Sequence, residues 1–143
     1  MATLDFTKGK VLQVQGTGPQ WIMANIDFTT ALGAQGAAAA SDVCQVISVP
    51  AGTFVHQVVC VVRTAEGGTQ VADIGDGSDA DGYMNDTDLN AAAGVADFGD
   101  STDDAYIEQG GRYYSSADTI DITLITNGAN TAIIDIYVQA SYL

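Results

Sequence analysis

The sequence predicts an all-β chain folded as a single-domain antiparallel β-sandwich, with a jelly roll as the expected form and long acidic loops. Three observations predict it. The valine-rich run 43–63 carries apolar residues on both sides of a period-two pattern, as a strand inside a sheet does. The C-terminal part alternates cleanly around Asn127-Gly128. Clusters of Gly, Asp and Asn cut the remainder into seven or eight short strands.

Taken in order, residues 1–20 are expected to form an N-terminal arm or edge strand, with weak alternation from Lys10 to Gln15 ended by Gly16-Thr17-Gly18-Pro19. Residues 21–143 are expected to form the sandwich. Ile22, Ala24, Ile26 and Phe28 alternate with Met23, Asn25, Asp27 and Thr29 in a half-buried strand, and Trp21 just before it reads as a core or interface anchor. The Ala-rich run 31–40 is interrupted by Gly33 and Gly36 and reads as a small-residue loop. Pro50-Ala51-Gly52 joins two strands, with Pro50 setting φ for the turn. On the second of them, Phe54, His56, Val58, Cys60 and Val62 are expected on one face and Val55, Gln57, Val59, Val61 and Arg63 on the other, both covered. A short strand follows from Thr69 to Ile74. Ile120, Ile122 and Leu124 pair with Ile134, Ile136 and Val138 in an expected hairpin, because Asn-Gly tolerates positive φ at both turn positions.

Composition narrows the function. The chain has 143 residues, enough for one domain with a core, and 47% are hydrophobic. Eighteen acids face only four bases, Lys8, Lys10, Arg63 and Arg112, for a net charge of −14. No basic stripe exists to neutralise phosphates, which argues against nucleic acid, and anionic membrane surfaces are disfavoured for the same reason. No secretory signal and no membrane-length apolar run is read from the chain. Cys44 and Cys60 are expected as reduced core residues, although their strands could bring them within bonding reach.

Eleven of the acids lie between residues 73 and 108. Asp73-Ile74-Gly75-Asp76-Gly77-Ser78-Asp79 resembles Asp97-Phe98-Gly99-Asp100-Ser101-Thr102-Asp103, 24 residues later, and a tyrosine follows each copy, Tyr83 and Tyr106. One reading has the aspartates capping turns while the apolar residue plugs the loop into the core. The other has Asp76, Asp79 and Asp81 converging on Ca2+. An EF-hand frame does not fit, because it puts Gly77 at the first ligand and Asp88 at the twelfth. Two carboxylates ~4 Å apart repel by about 4 kcal/mol at an effective dielectric of ~20, so such loops must splay into water or hold a cation. They are expected to face one or the other.

Catalytic constellations are thin. His56 is the only histidine, set mid-strand among apolar neighbours with no nucleophile arrangement around it. Phosphate loops and zinc spacings are absent, and Tyr113 and Tyr114 beside Arg112 read as an edge or interface cluster. The chain reads as no enzyme, with no cofactor required.

The run SVPAGTFVHQVVCVVRTAEGGTQVADIGDGSDADGYM, Ser48 to Met84, resembles a stretch of small virion structural proteins of tailed bacteriophages. The shared layout is PAGT, a strand, then GDG-D-DG, in an Ala/Gly/Thr/Asp-rich and Lys-poor chain with a C-terminal strand pair. The resemblance implies a capsid decoration or cement protein, made in the host cytoplasm and located on the capsid surface. Its implied partners are further copies of itself, a trimer being favoured, and the major capsid protein. It carries over no catalytic residues. The alternative is a calcium-dependent glycan-binding or fibre-tip module that uses the acidic loops with Tyr83, Tyr106, Tyr113 and Tyr114.

Overall fold

The structure is a computed structural model and describes residues 1–7, 18–30, 38–99 and 104–143. Ten strands and one helical turn appear in it: β1 Thr3–Asp5, β2 Gln20–Asp27, β3 Val43–Val49, β4 Thr53–Thr64, β5 Val71–Gly75, β6 Met84–Asp88, β7 Ala96–Asp97, α1 Ala105–Glu108, β8 Arg112–Tyr114, β9 Asp118–Leu124 and β10 Ile133–Tyr142. Sheet A has the order β1-β3-β9-β5-β6, and sheet B the order β2-β10-β4-β7 with β8 also on β4. Pairing is antiparallel throughout except for β1, which runs parallel to β3 at the edge of sheet A. The expected segment Lys10 to Gln15 and most of the Ala-rich run lie outside the described residues.

Burial follows the alternation. Ile120, Ile122 and Leu124 of β9 and Cys44 of β3 face Ala24, Ile26, Val58, Cys60, Val62, Ile134, Ile136 and Val138 of sheet B in one apolar core. Each large buried side chain contributes about 1.5–3 kcal/mol of transfer free energy, so this core holds the two sheets together. Both cysteines are free and buried, and burial pushes each thiol up to about 12, which keeps them inert.

Two connections cross between the sheets, the second against expectation. Pro50-Ala51-Gly52 leads from β3 in sheet A to β4 in sheet B. Its backbone is held from both sides: the Gly52 N–H donates to the Tyr114 carbonyl at 2.7 Å, and the Gly52 carbonyl accepts from the Leu143 N–H at 2.8 Å. The expected Asn127-Gly128 hairpin is likewise an arch between sheets, since β9 pairs with β3 and β5 while β10 pairs with β2 and β4. Other segments consume the arch's polar groups. Gln70 Oε1 accepts from Asn127 N–H at 2.8 Å, and the Glu66 carboxylate accepts from the N–H groups of Asn130, Thr131 and Ala132 at 2.8, 2.9 and 2.6 Å. A hairpin would leave those partners unmet.

A chain rolled up from one long hairpin sets its first strand beside its last and its second beside the one before. Here β2 lies beside β10, β3 beside β9, β4 beside β8 and β5 beside β6, the nesting such a roll-up gives, with β1 and β7 added to it. The alternation of β4 also shifts. A bulge opposite Gln139/Ala140 turns Val55 into the core and moves Phe54 to the face of Gln57, Val59 and Val61.

Candidate functional site

The acidic stretch was expected to lie in water or on a cation, and the structure instead builds much of it into the sandwich. Ile74, Tyr83, Met84, Leu89 and Tyr106 are buried, and so are Asp76 and Asp104. The two copies of the repeat part company here: Ile74 is fully buried whereas Phe98 is 53% exposed, and residues 100–103 lie outside the described residues. Their tyrosines nonetheless meet, with the Tyr83 and Tyr106 rings edge-to-face at 5.0 Å.

Asp76 is the hub. Its Oδ1 accepts from Ser78 N–H at 2.8 Å, Asp79 N–H at 3.0 Å and the Tyr106 hydroxyl at 2.9 Å. Its Oδ2 lies 3.6 Å from Arg112 Nε, an ion pair between a fully buried carboxylate and a guanidinium arriving from β8. That guanidinium also sits over the Tyr106 ring at 4.7 Å and the Tyr114 ring at 5.7 Å, and Tyr114 shares a 2.9 Å hydroxyl bond with Tyr83. Burial raises all three phenols, so none ionises near neutrality. Two glycines permit this packing. A Cβ on Gly82 would collide with the Tyr106 ring, and one on Gly75 with the Asp79 carbonyl.

Of the expected calcium ligands, Asp79 and Asp81 meet each other while Asp76 is turned to other partners. Asp76 turns inward to Arg112 and Tyr106, while a hydrogen bond between Asp79 and Asp81, followed by burial, raises the Asp79 carboxyl above its usual range. Among the described residues no group of three or more His, Cys, Asp or Glu is placed to hold a metal. Arg112, 36 residues from Asp76, supplies the positive charge that repulsion demanded. His56 bonds Ser141 Oγ at 2.8 Å and packs edge-on to Phe54 at 4.8 Å, with no carboxylate hydrogen-bonded to the ring among the described contacts.

The outer faces carry the larger contrast. On sheet B, cross-strand register aligns Ser141, Phe54 and Tyr113; Trp21, Gln139 and Gln57; Met23, Tyr137 and Val59; and Asn25, Asp135 and Val61. Asp135, the one acid in these rows, bonds Arg63 at 3.0 Å and Asn25 at 2.7 Å. On sheet A, register aligns Asp5, Gln45, Asp121 and Gly75, with Thr3, Val43, Thr123 and Asp73 beside them and Asp88 opposite Val71. The strands of sheet A contain no Lys or Arg. Burial pushes Asp121 up to about 6, with Asp118 and Asp76 adding to the effect. Trp21, expected as an anchor, is 51% exposed and so lies outside the core.

Among the described residues no helix is long and apolar enough to cross a membrane. No family model matches the chain, and no curated protein sequence matches it. Three solved structures share its fold. A chain of the Ralstonia phage GP4 capsid superposes with a TM-score of 0.65 at 12% identity, covering 99% of both chains. A chain of the cyanophage Pam1 capsid asymmetric unit gives 0.60 at 17% identity over 92% of this chain and 90% of its own. A chain of the acidic stable capsid of Helicobacter pylori bacteriophage KHP30 gives 0.60 at 12% identity over 91% and 90%. This chain is thus similar, over nearly its whole length, to small chains of three phage capsid assemblies.

Proposed function

We propose that this chain is a non-enzymatic structural protein of a bacteriophage virion, a decoration protein that oligomerises on the capsid surface and stabilises the shell. The fold shared end to end with chains of three phage capsid assemblies carries the reading. Two further observations support it. The Asp76 carboxylate is buried among Ser78, Asp79, Tyr106 and Arg112 rather than presented at a cleft. Exposed Trp21, Met23 and Tyr113 give the molecule contact surface in place of a cleft. A decoration protein works by adding contacts across subunit boundaries, which requires rigid faces and little else.

The test is reconstitution. Shells lacking the protein are incubated with it, sedimented, and heated alongside untreated shells. The expected result is co-sedimentation and a higher temperature of shell disruption, and shells that neither bind the chain nor gain heat resistance would sink the reading. The glycan-binding alternative draws no support from the geometry, because Asp76 is committed to Arg112. Chelator-sensitive binding to a sugar array would revive it.

A further inference from the structure

We infer that copies of this chain meet through the outer face of sheet B, with Trp21, Met23 and Tyr137 at the centre of the contact. This rests on the oligomeric part of the reading above and names its surface.

The first argument is a mismatch between β4 and its surroundings. Its sequence is apolar on both faces, yet the described residues bury only one fully. Val58, Cys60 and Val62 are buried in the core, while on the outer face Val59 is buried but Phe54, Gln57 and Val61 are only half-buried, beside Tyr137 and the exposed Trp21 and Met23. A strand loaded on both faces belongs to a sheet covered on both. The second argument is charge, and it selects the occupant. A second copy also carries −14, so docking it on sheet A would set Asp5, Asp73, Asp86 and Asp88 against like charges. A basic partner would choose that face. The outer rows of sheet B hold Asp135, neutralised by Arg63, and Asp27 only in the end row opposite Ile133, so this is the surface that better tolerates another copy of an acidic chain.

The third argument is shape. Trp21 projects beside an open depression of about 500 Å³ lined by Met23, Asn25, Arg63, Thr64, Ile133 and Asp135. Each copy therefore presents both a projecting indole and a seat for one. Arg63, with 59% of its side chain exposed at that seat, offers the cation that an aromatic face favours.

Sedimentation velocity and light scattering on the full chain test this at low and high salt. The wild type should associate, and more tightly at high salt, because screening weakens the residual acid repulsion while leaving apolar contact intact. Trp21→Glu and Met23→Glu should each weaken association by at least about tenfold, as central contacts do, without changing the melting temperature. Asp88→Asn on the other face should leave association unchanged. If Trp21→Glu proves unfolded, oxidation of Gln139→Cys should cross-link neighbouring copies, and failure to do so counts against the face. A monomeric wild type in both salts, or a folded Trp21→Glu chain that associates normally, overturns the inference. The two readings fail separately: a monomer that still coats shells removes this interface and keeps the decoration role. An oligomer dispersed by Trp21→Glu that ignores shells does the reverse.

Discussion

The outer face of sheet A and the outer face of sheet B use the same alternation and load it oppositely. Sheet A sets Asp5, Asp73, Asp88 and Asp121 in rows among Gln, Thr and Val with no base in its strands. Sheet B has Asp27 only in its end row and Asp135 among its central rows, and gives Asp135 Arg63. The difference shows how a chain this acidic stays folded. The exposed acids take local donors, Asp5 accepting from Thr7 and Asp88 from the Asn90 N–H at 2.8 Å, Asp73 accepts the Asp86 N–H at 2.9 Å, and Asp121 is held closer to its protonated form. The two described arginines go to two buried carboxylates, Asp76 and Asp135.

Breaking that allocation should cost most where burial is deepest. Arg112→Met leaves Asp76 buried without its counter-charge, and the expected loss is about 3 kcal/mol, the range for a broken buried pair. Urea denaturation should show it, and adding Asp76→Asn should recover part of the loss. An Arg112→Met protein as stable as wild type would mean that the tyrosine and backbone donors suffice.

Next comes pH. The folded Asp121 carboxyl lies near 6, above its ordinary 3.8, so its contribution is fully present below about 3.8 and is lost as pH rises through 6. Asp121→Asn should therefore melt several degrees higher than wild type at neutral pH, with the gap closing toward pH ~4. Asp42 runs the other way. Hydrogen bonds from the N–H groups of Ala39 and Ala2 hold it low, so its contribution is present above 3.8 and fades as pH falls further. A wild-type melting curve flat from neutral to mildly acid pH would contradict the Asp121 assignment.

Arg63→Met should cost less than Arg112→Met, about 1 kcal/mol, because Arg63 is mostly in water and Asn25 still serves Asp135. The smallest effect is expected at Asp88→Asn, within about 0.5 kcal/mol, since the side chain is exposed on a face of like charges. Equal losses at the two arginines would erase the contrast between buried and open pairs.

Much of the strand content was legible. The runs at 22–28, 43–49, 53–64, 120–124 and 134–138 read as strands, and they are, because period two reports directly which residues one pleated surface can bury. The acidic repeat was visible, but its roles were not: Ile74 and Phe98 occupy equivalent positions in it and opposite environments. The calcium reading treated repulsion among nearby acids as a local question, whereas a charge facing Asp76 comes from Arg112 on another strand. The hairpin reading weighed Asn127-Gly128 without the nine residues that separate Leu124 from Ile134, and that length leaves room for an arch.

By itself the sequence determined the strands, the acid excess and the faces that must be apolar, since these follow from side-chain chemistry and short-range geometry. Only the tertiary structure decided which strand neighbours which, that both turn signals would carry the chain across the sandwich, and that the scarce arginines would reach two distant aspartates. Those outcomes depend on competition among partners far apart along the chain, where backbone groups and charges pair with whichever complement the packed core brings near.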